Sequence, residues 1–302
     1  MVEEINVEIG KYTLESLTTG MYSDPKIIYR EYIQNSVDSL ETAVGNGVIE
    51  SQSMRIEIIV DSESSKILIY DNGIGISCDK AISTLLNIGN SQKRQSNNRG
   101  FRGIGRLGGM SYCNTLRFTT SYPGEKIKTT VEFNCKRLRE LLVPGEYEQY
   151  NLNKVLEEIT TTNQEEECYE KHYFVVELED VSDFSDLLDL DKVKEYICQV
   201  APVAYSKRNF IYTSEIHKYM TKKNFCIDEF PIFVGEDNGS LEAVYKPNRH
   251  RFHSDRNKRK EDEIEEIRFF EIEIDNECYA LGGLQIVVGM GRYLKVILLE
   301  YV

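Results

Sequence analysis

The stretch that decides the fold is "YREYIQNSVDSLETA", residues 29–43. Its apolar residues recur at helical spacing, and at about 100° per residue Glu31, Asn35 and Asp38 fall within one arc on the opposite face. No lysine or arginine stands among these three residues. One interpretation is an ordinary solvated face. The other is a set of oxygen groups presented to a ligand, since carbonyl and carboxylate oxygens suit Mg2+.

A second motif, "KILIYDNGIGIS" at residues 66–77, carries two glycines after a strand-like run. Asn-Gly after alternating apolar residues is a strong signal for a β-hairpin, and a hairpin is one interpretation. The residues that follow, however, read as a capped helix rather than a returning strand. We therefore favour a turn that a ligand approaches closely. Gly73 and Gly75 leave room that a Cβ would fill, and Asp71 can accept a hydrogen bond from an amine.

A third motif, "RGFRGIGRLGG" at residues 99–109, has glycines at 100, 103, 105, 108 and 109 and precedes a predicted short helix, "GGMSYC". Successive N–H groups of such a loop can bind phosphate oxygens, and Arg99, Arg102 and Arg106 add local cations. Flexible loops share this composition, so the motif alone is weak. It fits neither a P-loop nor a Rossmann fingerprint, because G-x-x-x-x-G-K-[ST] is absent and the loop follows a polar stretch.

The composition bounds the class of protein. The 302 residues are 41% hydrophobic and 28% charged, as in soluble globular proteins. A formal net charge of −14 opposes direct binding of nucleic acid or of an anionic membrane. No apolar run in the sequence is long enough for a membrane span. The seven cysteines are scattered without a C-x-x-C pair, which is typical of reduced thiols in a cytoplasmic protein.

The order of the three motifs is more specific than any one of them. A helix with E-x-x-x-N-x-x-D, a strand ending in D-x-G-x-G and a later G-x-x-G-x-G resemble the GHKL superfamily of ATPases, the group of DNA gyrase B, the ninety-kilodalton heat-shock chaperones, histidine kinases and MutL. The matching stretches are "EYIQNSVD", "DNGIGIS" and "GFRGIGRLGG", within residues 10–185. The nearest resemblance is to the chaperone-like branch, and "NIGNSQK" at 87–93 is similar to the segment before its nucleotide lid.

The resemblance implies an α+β fold. It is a two-layer α/β sandwich, the Bergerat ATP-binding fold, with a mixed, mainly antiparallel sheet and helices on one face. We expect this ATP-binding domain over residues 1–185. Residues 186–302 would begin a middle or transducer-like second domain of α/β type, truncated at the end of this sequence. The basic stretch "YKPNRHRFHSDRNKRK", 245–260, is either a solvated loop or a contact for the γ-phosphate or another anion.

The resemblance also implies roles for single residues. Glu31 would be the general base that activates water, Asn35 would coordinate Mg2+ that bridges the phosphates of ATP, and Asp38 would support that site. Asp71 would accept from the adenine amino group, and Gly73 and the second glycine of that turn would give adenine and ribose room. The residues that would cover or reach the phosphates are Ser91, Lys93, Gly100, Arg102, Gly103, Ile104, Gly105 and Arg106.

One stretch departs from the family pattern. In chaperone-like members a Gly-Thr pair starts a late strand, and the threonine helps to bind adenine. The comparable stretch here is "KHYFVVELED", residues 171–180. Tyr173 or Phe174 stands where the threonine is expected, so the sequence lacks the residue for that contact.

These observations lead to one main prediction and two alternatives. The main prediction is Mg2+-dependent ATP binding with slow hydrolysis, used as a chaperone-like conformational switch in which two copies associate when nucleotide is bound. The first alternative is a nucleotide-binding scaffold without turnover. The second is a DNA-associated ATPase of the MutL or topoisomerase kind. The sequence does not identify a protein client.

Overall fold

The computed structural model describes residues 9–18, 24–87, 105–182, 186–254, 257–273, 279–287 and 293–301. The chain divides into two compact units. The first comprises residues 1–201 with 230–244, and the second comprises residues 202–229 with 245–302. All described residues of the three motifs lie in the first unit. The domain boundary expected after residue 185 stays a prediction.

The first unit combines helices with a large sheet. Its α-helices are α1 (Tyr12–Thr18), α2 (Ile27–Gly45), α3 (Cys78–Leu86), α4 (Cys135–Leu141), α5 (Leu152–Ile159) and α6 (Leu190–Val200). Its strands are β1 (Ile56–Asp61), β2 (Lys66–Asp71), β3 (Thr115–Ser121), β4 (Ile127–Asn134), β5 (Thr160–Glu166), β6 (Tyr173–Glu179), β7 (Ile232–Gly235) and β8 (Glu242–Ala243). A 3-10 helix spans Gly105–Ser111.

The strands of this unit form one sheet of eight, in the order β5-β4-β3-β6-β2-β1-β7-β8. Neighbouring strands are antiparallel except β1 and β7, which run parallel. The sheet is therefore mixed and mainly antiparallel, and the same unit contains the helices α1 to α6. The fold class predicted from the resemblance is confirmed.

The sheet buries one face, as the alternation of its strands requires. Along β1 the buried residues are Ile56, Ile58 and Val60, every second position. Helix α2 packs on this face through Tyr32, whose ring meets that of Phe118 in β3 edge-on with 6.5 Å between the centroids. This contact sets α2, which carries the first motif, over the centre of the sheet.

Two segments differ from the prediction. The acidic composition of "NKVLEEITTTNQEEECYEKH", 153–172, predicts an exposed insertion, but its first part belongs to helix α5 and its middle forms the edge strand β5. Val155 and Ile159 are buried because they lie one turn apart on the same face of α5. The short helix read from "GGMSYC" is a 3-10 helix that begins earlier, at Gly105. Several glycines of the third motif thus lie inside a helix rather than before it.

The second unit is built around helix α7 (Thr213–Lys222) and the strands β9 (Arg251–Ser254), β10 (Asn257–Glu273), β11 (Tyr279–Val287) and β12 (Tyr293–Tyr301). These strands form an antiparallel sheet in the order β12-β11-β10-β9. Phe210, Ile216 and Ile264 are buried in its core. In the basic stretch, the amine of Lys246 lies 5.7 Å from the centre of the Tyr205 ring. Burial lowers the pKa of Lys246.

Among the residues that the structure describes, no helix has both the length and the apolar character that a crossing of the bilayer needs.

Tyr32 also ties α2 to the 3-10 helix, which a single substitution can test. Its hydroxyl donates to the carbonyl oxygen of Arg106 at 3.0 Å and accepts from the N–H of Gly109 at 3.1 Å. Tyr32→Phe removes both bonds and leaves a buried N–H without its acceptor. We expect the free energy of unfolding, measured in urea, to fall by about 1–3 kcal/mol.

The control for this experiment is Tyr169→Phe, at a residue that is 57% exposed. It should change the free energy of unfolding by less than about 0.5 kcal/mol. Equal losses in the two variants would show that the buried hydroxyl contributes nothing of its own.

Candidate functional site

Residues of all three motifs line one cavity of about 250 Å³ in the first unit. One part of its wall is polar and comes from α2 and the end of β2. The lining residues of this part are Asn35, Asp38, Ser39, Thr42 and Asp71. Another part is apolar and comes from the turn after β2 and from β3 and β6. The lining residues of this part are Ile74, Ile76, Phe118, Phe174 and Val176.

Asp71, the last residue of β2, is 1% exposed. Its Oδ1 accepts from the N–H of Gly73 at 2.9 Å, and the hydroxyl groups of Ser36 and Ser39 hydrogen-bond to the carboxylate as well. Burial outweighs these bonds and raises the pKa of Asp71 to about 7. An amine donor in the cavity would favour the ionised carboxylate and lower this pKa again.

The glycines of the turn are required by close packing within the protein. Gly75 has a φ of +66°, and a Cβ there would clash with the carbonyl oxygen of Ser121. A Cβ on Gly73 would clash with the side chain of Ser39. The turn is thus pressed against β3 on one side and α2 on the other. Gly75 also lines the cavity, and the predicted room for adenine and ribose stays a prediction.

Arg106 brings a cation to the cavity wall. Its guanidinium donates to the carbonyl oxygens of Leu85 at 3.2 Å and Asn87 at 2.5 Å, at the C-terminal end of α3. Burial lowers the pKa of Arg106 to about 10, so the side chain stays charged at neutral pH. The other predicted phosphate contacts in this segment, except Gly105, lie outside the described residues; they are Ser91, Lys93, Gly100, Arg102, Gly103 and Ile104.

The three residues of the first motif have different surroundings. Asn35 and Asp38 line the cavity, and Asp38 is buried. Glu31 lies against the start of the 3-10 helix, where a Cβ on Gly105 would clash with its carboxylate. The structure therefore brings Asn35, Asp38 and Asp71 to one cavity with Gly75 and Arg106, and it sets Glu31 beside Gly105.

Asn35 is the residue of this cavity that the sequence predicts as a metal ligand. Within the described ranges, no group of three or more His, Cys, Asp or Glu side chains is arranged to hold a metal. Mg2+ commonly takes one or two protein ligands and completes its shell with phosphate oxygens and water. Asn35, whose amide carbonyl is an oxygen donor, fits that mode of binding.

Sequence reasoning missed the residues that support Asp71. Ser36 and Ser39 lie three positions apart on α2, and their spacing was a signal that they share a face. It could not show that this face meets the end of β2. Phe174 pairs with Asp71 in the register of β6 and β2, so it is the residue that lines the cavity near the position expected for threonine.

The comparison with protein families agrees with this geometry. The model for the "Histidine kinase-, DNA gyrase B-, and HSP90-like ATPase" family matches residues 22–164. Residues 22–164 therefore match a GHKL-type ATPase domain. The matched range contains all three motifs and strands β1 to β4. The resemblance found in the sequence is confirmed.

Curated relatives of this GHKL domain are heat-shock chaperones. Chaperone protein HtpG of Acinetobacter baylyi is 33% identical over 84 residues, 26% of this chain and 13% of that protein. Chaperone protein HtpG of Chlorobaculum tepidum is 34% identical over 87 residues, 27% and 14% of the two chains. The mitochondrial heat shock protein 75 kDa of Rattus norvegicus is 33% identical over 84 residues, 27% and 12%. The matched stretch thus spans only 12–14% of the length of these relatives.

The packing of the turn can be tested at Gly75. Gly124 is a matched control, because it also has a positive φ, +82°, but a Cβ there would come no closer than 4.0 Å to any other group. Gly124→Ala should therefore carry the backbone strain alone, about 1–2 kcal/mol. Gly75→Ala should lower the free energy of unfolding by about 1–3 kcal/mol more, because it adds the clash with β3. Equal losses would show that the turn moves away from β3 at no cost.

The raised pKa of Asp71 predicts a pH dependence of stability. The usual value is 3.8, and the folded value is about 7. Between these two values the folded protein keeps a proton that the unfolded chain has released, so the stability that Asp71 contributes falls as pH rises and levels off above the folded pKa. Asp71→Asn has no such titration.

Urea denaturation of nucleotide-free protein measures this effect. The difference in the free energy of unfolding, Asp71→Asn minus wild type, should increase from about pH 5 to about pH 7 and then stay constant. A difference that does not depend on pH would show that the carboxylate is not desolvated in the folded state.

Proposed function

We propose that the GHKL domain binds ATP with Mg2+ in the cavity beside Asp71, hydrolyses it slowly and thereby works as a chaperone-like conformational switch. The observation that carries the proposal is the buried carboxylate of Asp71 at the wall of a partly apolar cavity. Adenine offers a flat apolar ring and one amino donor. Phe118 and Phe174 can cover the ring, and Asp71 can accept from the amino group.

The polar side of the cavity suits the phosphates. Asn35 would hold Mg2+ through its amide oxygen, and the ion would neutralise phosphate charge. Arg106 adds a fixed positive charge, and Asp38 stands next to Asn35 on the helix to hold that polar wall. In a chain with a formal net charge of −14, such local cations are what an anionic ligand needs.

Glu31 would take the proton of the attacking water. A glutamate is ionised at neutral pH and can act as a general base when a water lies within hydrogen-bonding distance. The start of the 3-10 helix lies against this carboxylate at Gly105. Turnover would then wait for the glycine-rich segment to shift and admit the water, which gives a physical reason for slow hydrolysis.

Calorimetry with ATP and a phosphate-release assay test the proposal on the full-length protein. Glu31→Gln should bind ATP as wild type does and lose turnover by about 10²–10⁴-fold. Asn35→Ala should lose the gain in affinity that Mg2+ gives. Glu41→Gln, at an exposed position of the same helix, is the control and should change neither quantity. Normal turnover in Glu31→Gln would remove its role as the base.

A nucleotide-binding scaffold without turnover is the second candidate. The packing of Gly105 against the Glu31 carboxylate and the aromatic Phe174 in place of the threonine favour it. ATP binding without phosphate release by the full-length wild type would decide for this candidate. A DNA-associated ATPase is disfavoured by the acidic charge, and salt-dependent DNA binding by the whole protein would be its signature.

We further propose that two copies associate on ATP binding and that the protein is cytoplasmic. Residues from Ser91 to Ile104 would contact the phosphates, and residues 186–302 would begin a middle or transducer-like domain. The partial match to heat-shock chaperones supports the association of two copies.

A further inference from the structure

His172 contacts the turn that carries Asp71. Its Nδ1 lies 2.8 Å from the carbonyl oxygen of Gly73. Because a carbonyl oxygen only accepts, Nδ1 carries the proton and donates it. The N–H of Gly73 in turn donates to Oδ1 of Asp71 at 2.9 Å. Gly73 is thus held at its carbonyl by the imidazole and at its N–H by the carboxylate.

The rest of the turn is fixed by the same part of the chain. The N–H of Ile76 donates to Oγ1 of Thr120 at 2.8 Å, and the Thr120 hydroxyl donates to the carbonyl oxygen of Tyr173 at 3.1 Å. The N–H of Ile74 donates to the carbonyl oxygen of Ser39 at 3.1 Å. The start of β6 therefore holds the turn at two points, directly at its beginning and through Thr120 at its end.

The side chain of His172 lines a separate surface groove with Tyr70, Asn72 and Tyr173, and it is not a lining residue of the cavity beside Asp71. The imidazole is therefore linked to the cavity through its hydrogen bond to Gly73. The Gly73 carbonyl belongs to the peptide group after its Cα and the Gly73 N–H to the peptide group before it, so the two bonds restrain both backbone torsions of this glycine. Without the imidazole, the peptide group after Gly73 keeps only the bond from Ile74 to Ser39, and the restraint on the neighbouring N–H that orients the carboxylate is weaker.

We propose that His172 is a positioning residue for base recognition, which holds Asp71 in the orientation that accepts from a 6-amino purine. This inference rests on the proposed function, because Asp71 matters for a base only if the cavity binds a nucleotide. It adds a residue outside the cavity that sets the choice of base. A 6-keto purine presents an oxygen to Asp71, so a fixed and ionised Asp71 rejects it, whereas a loosely held one discriminates less. The affinities are therefore compared above the folded pKa of Asp71, about 7.

Affinities for ADP and inosine diphosphate, measured by calorimetry with Mg2+, test the inference. Wild type should prefer ADP. His172→Phe keeps a ring but has no donor, and it should weaken ADP binding by about 5- to 10-fold while the affinity for inosine diphosphate stays within about two-fold. His172→Asn, whose amide N–H stands near the position of Nδ1–H, should restore the preference. His172→Gln places its N–H near the position of Nε2 and should behave as His172→Phe does.

The two nucleotides separate positioning from general damage. Equal losses for ADP and inosine diphosphate in His172→Phe would mean that the bond only stabilises the fold, and the inference would be wrong. A full preference for ADP in both His172→Phe and His172→Gln would also overturn it. If His172→Phe fails to fold, the comparison of His172→Asn with His172→Gln decides. A wild type that binds neither nucleotide would contradict the proposed function, and the inference would be wrong with it.

Discussion

The burial of one carboxylate constrains the rest of the site. Asp71 is 1% exposed and has lost nearly all of its hydration, and the chain replaces it with donors from Ser36, Ser39 and Gly73. Desolvation still dominates, as the raised pKa shows. The protein therefore keeps an acceptor at the cavity wall at a cost in stability. A bound amine would reduce that cost. Selection for ligand binding can therefore keep a buried carboxylate that lowers the stability of the fold.

Local pattern was enough to predict the parts of the fold that repeat. Ile33, Val37 and Leu40 are buried on α2, as the helical period requires, and the polar stripe on the other face contributes Asn35 and Asp38 to the cavity. The glycines of the turn were recognisable because only glycine tolerates such close approach. The atoms closest to these glycines belong to the protein, however. The sequence could not show this, because it does not reveal which strand and which helix meet at the turn.

Contacts distant in sequence are what the pattern could not predict. His172 and Gly73 are 99 positions apart, and nothing in either local sequence indicates the other. Strand β5 was missed for a different reason. All but its first residue are exposed, so its sequence, "TTTNQEE", has no apolar alternation to detect. It is a strand because β4 offers it a hydrogen-bonded partner along its whole length, from Thr160 to Glu166.

The 3-10 helix at Gly105–Ser111 is hydrogen-bonded to both α3 and α2. Arg106 donates from the 3-10 helix to the carbonyl oxygens of Leu85 and Asn87, so the end of α3 and the start of that helix are joined. The hydroxyl of Tyr32, on α2, donates to the carbonyl oxygen of Arg106 and accepts from the N–H of Gly109 in the same 3-10 helix. The end of α3 and the start of the 3-10 helix therefore meet at the cavity wall, to which they contribute Leu85 and Arg106.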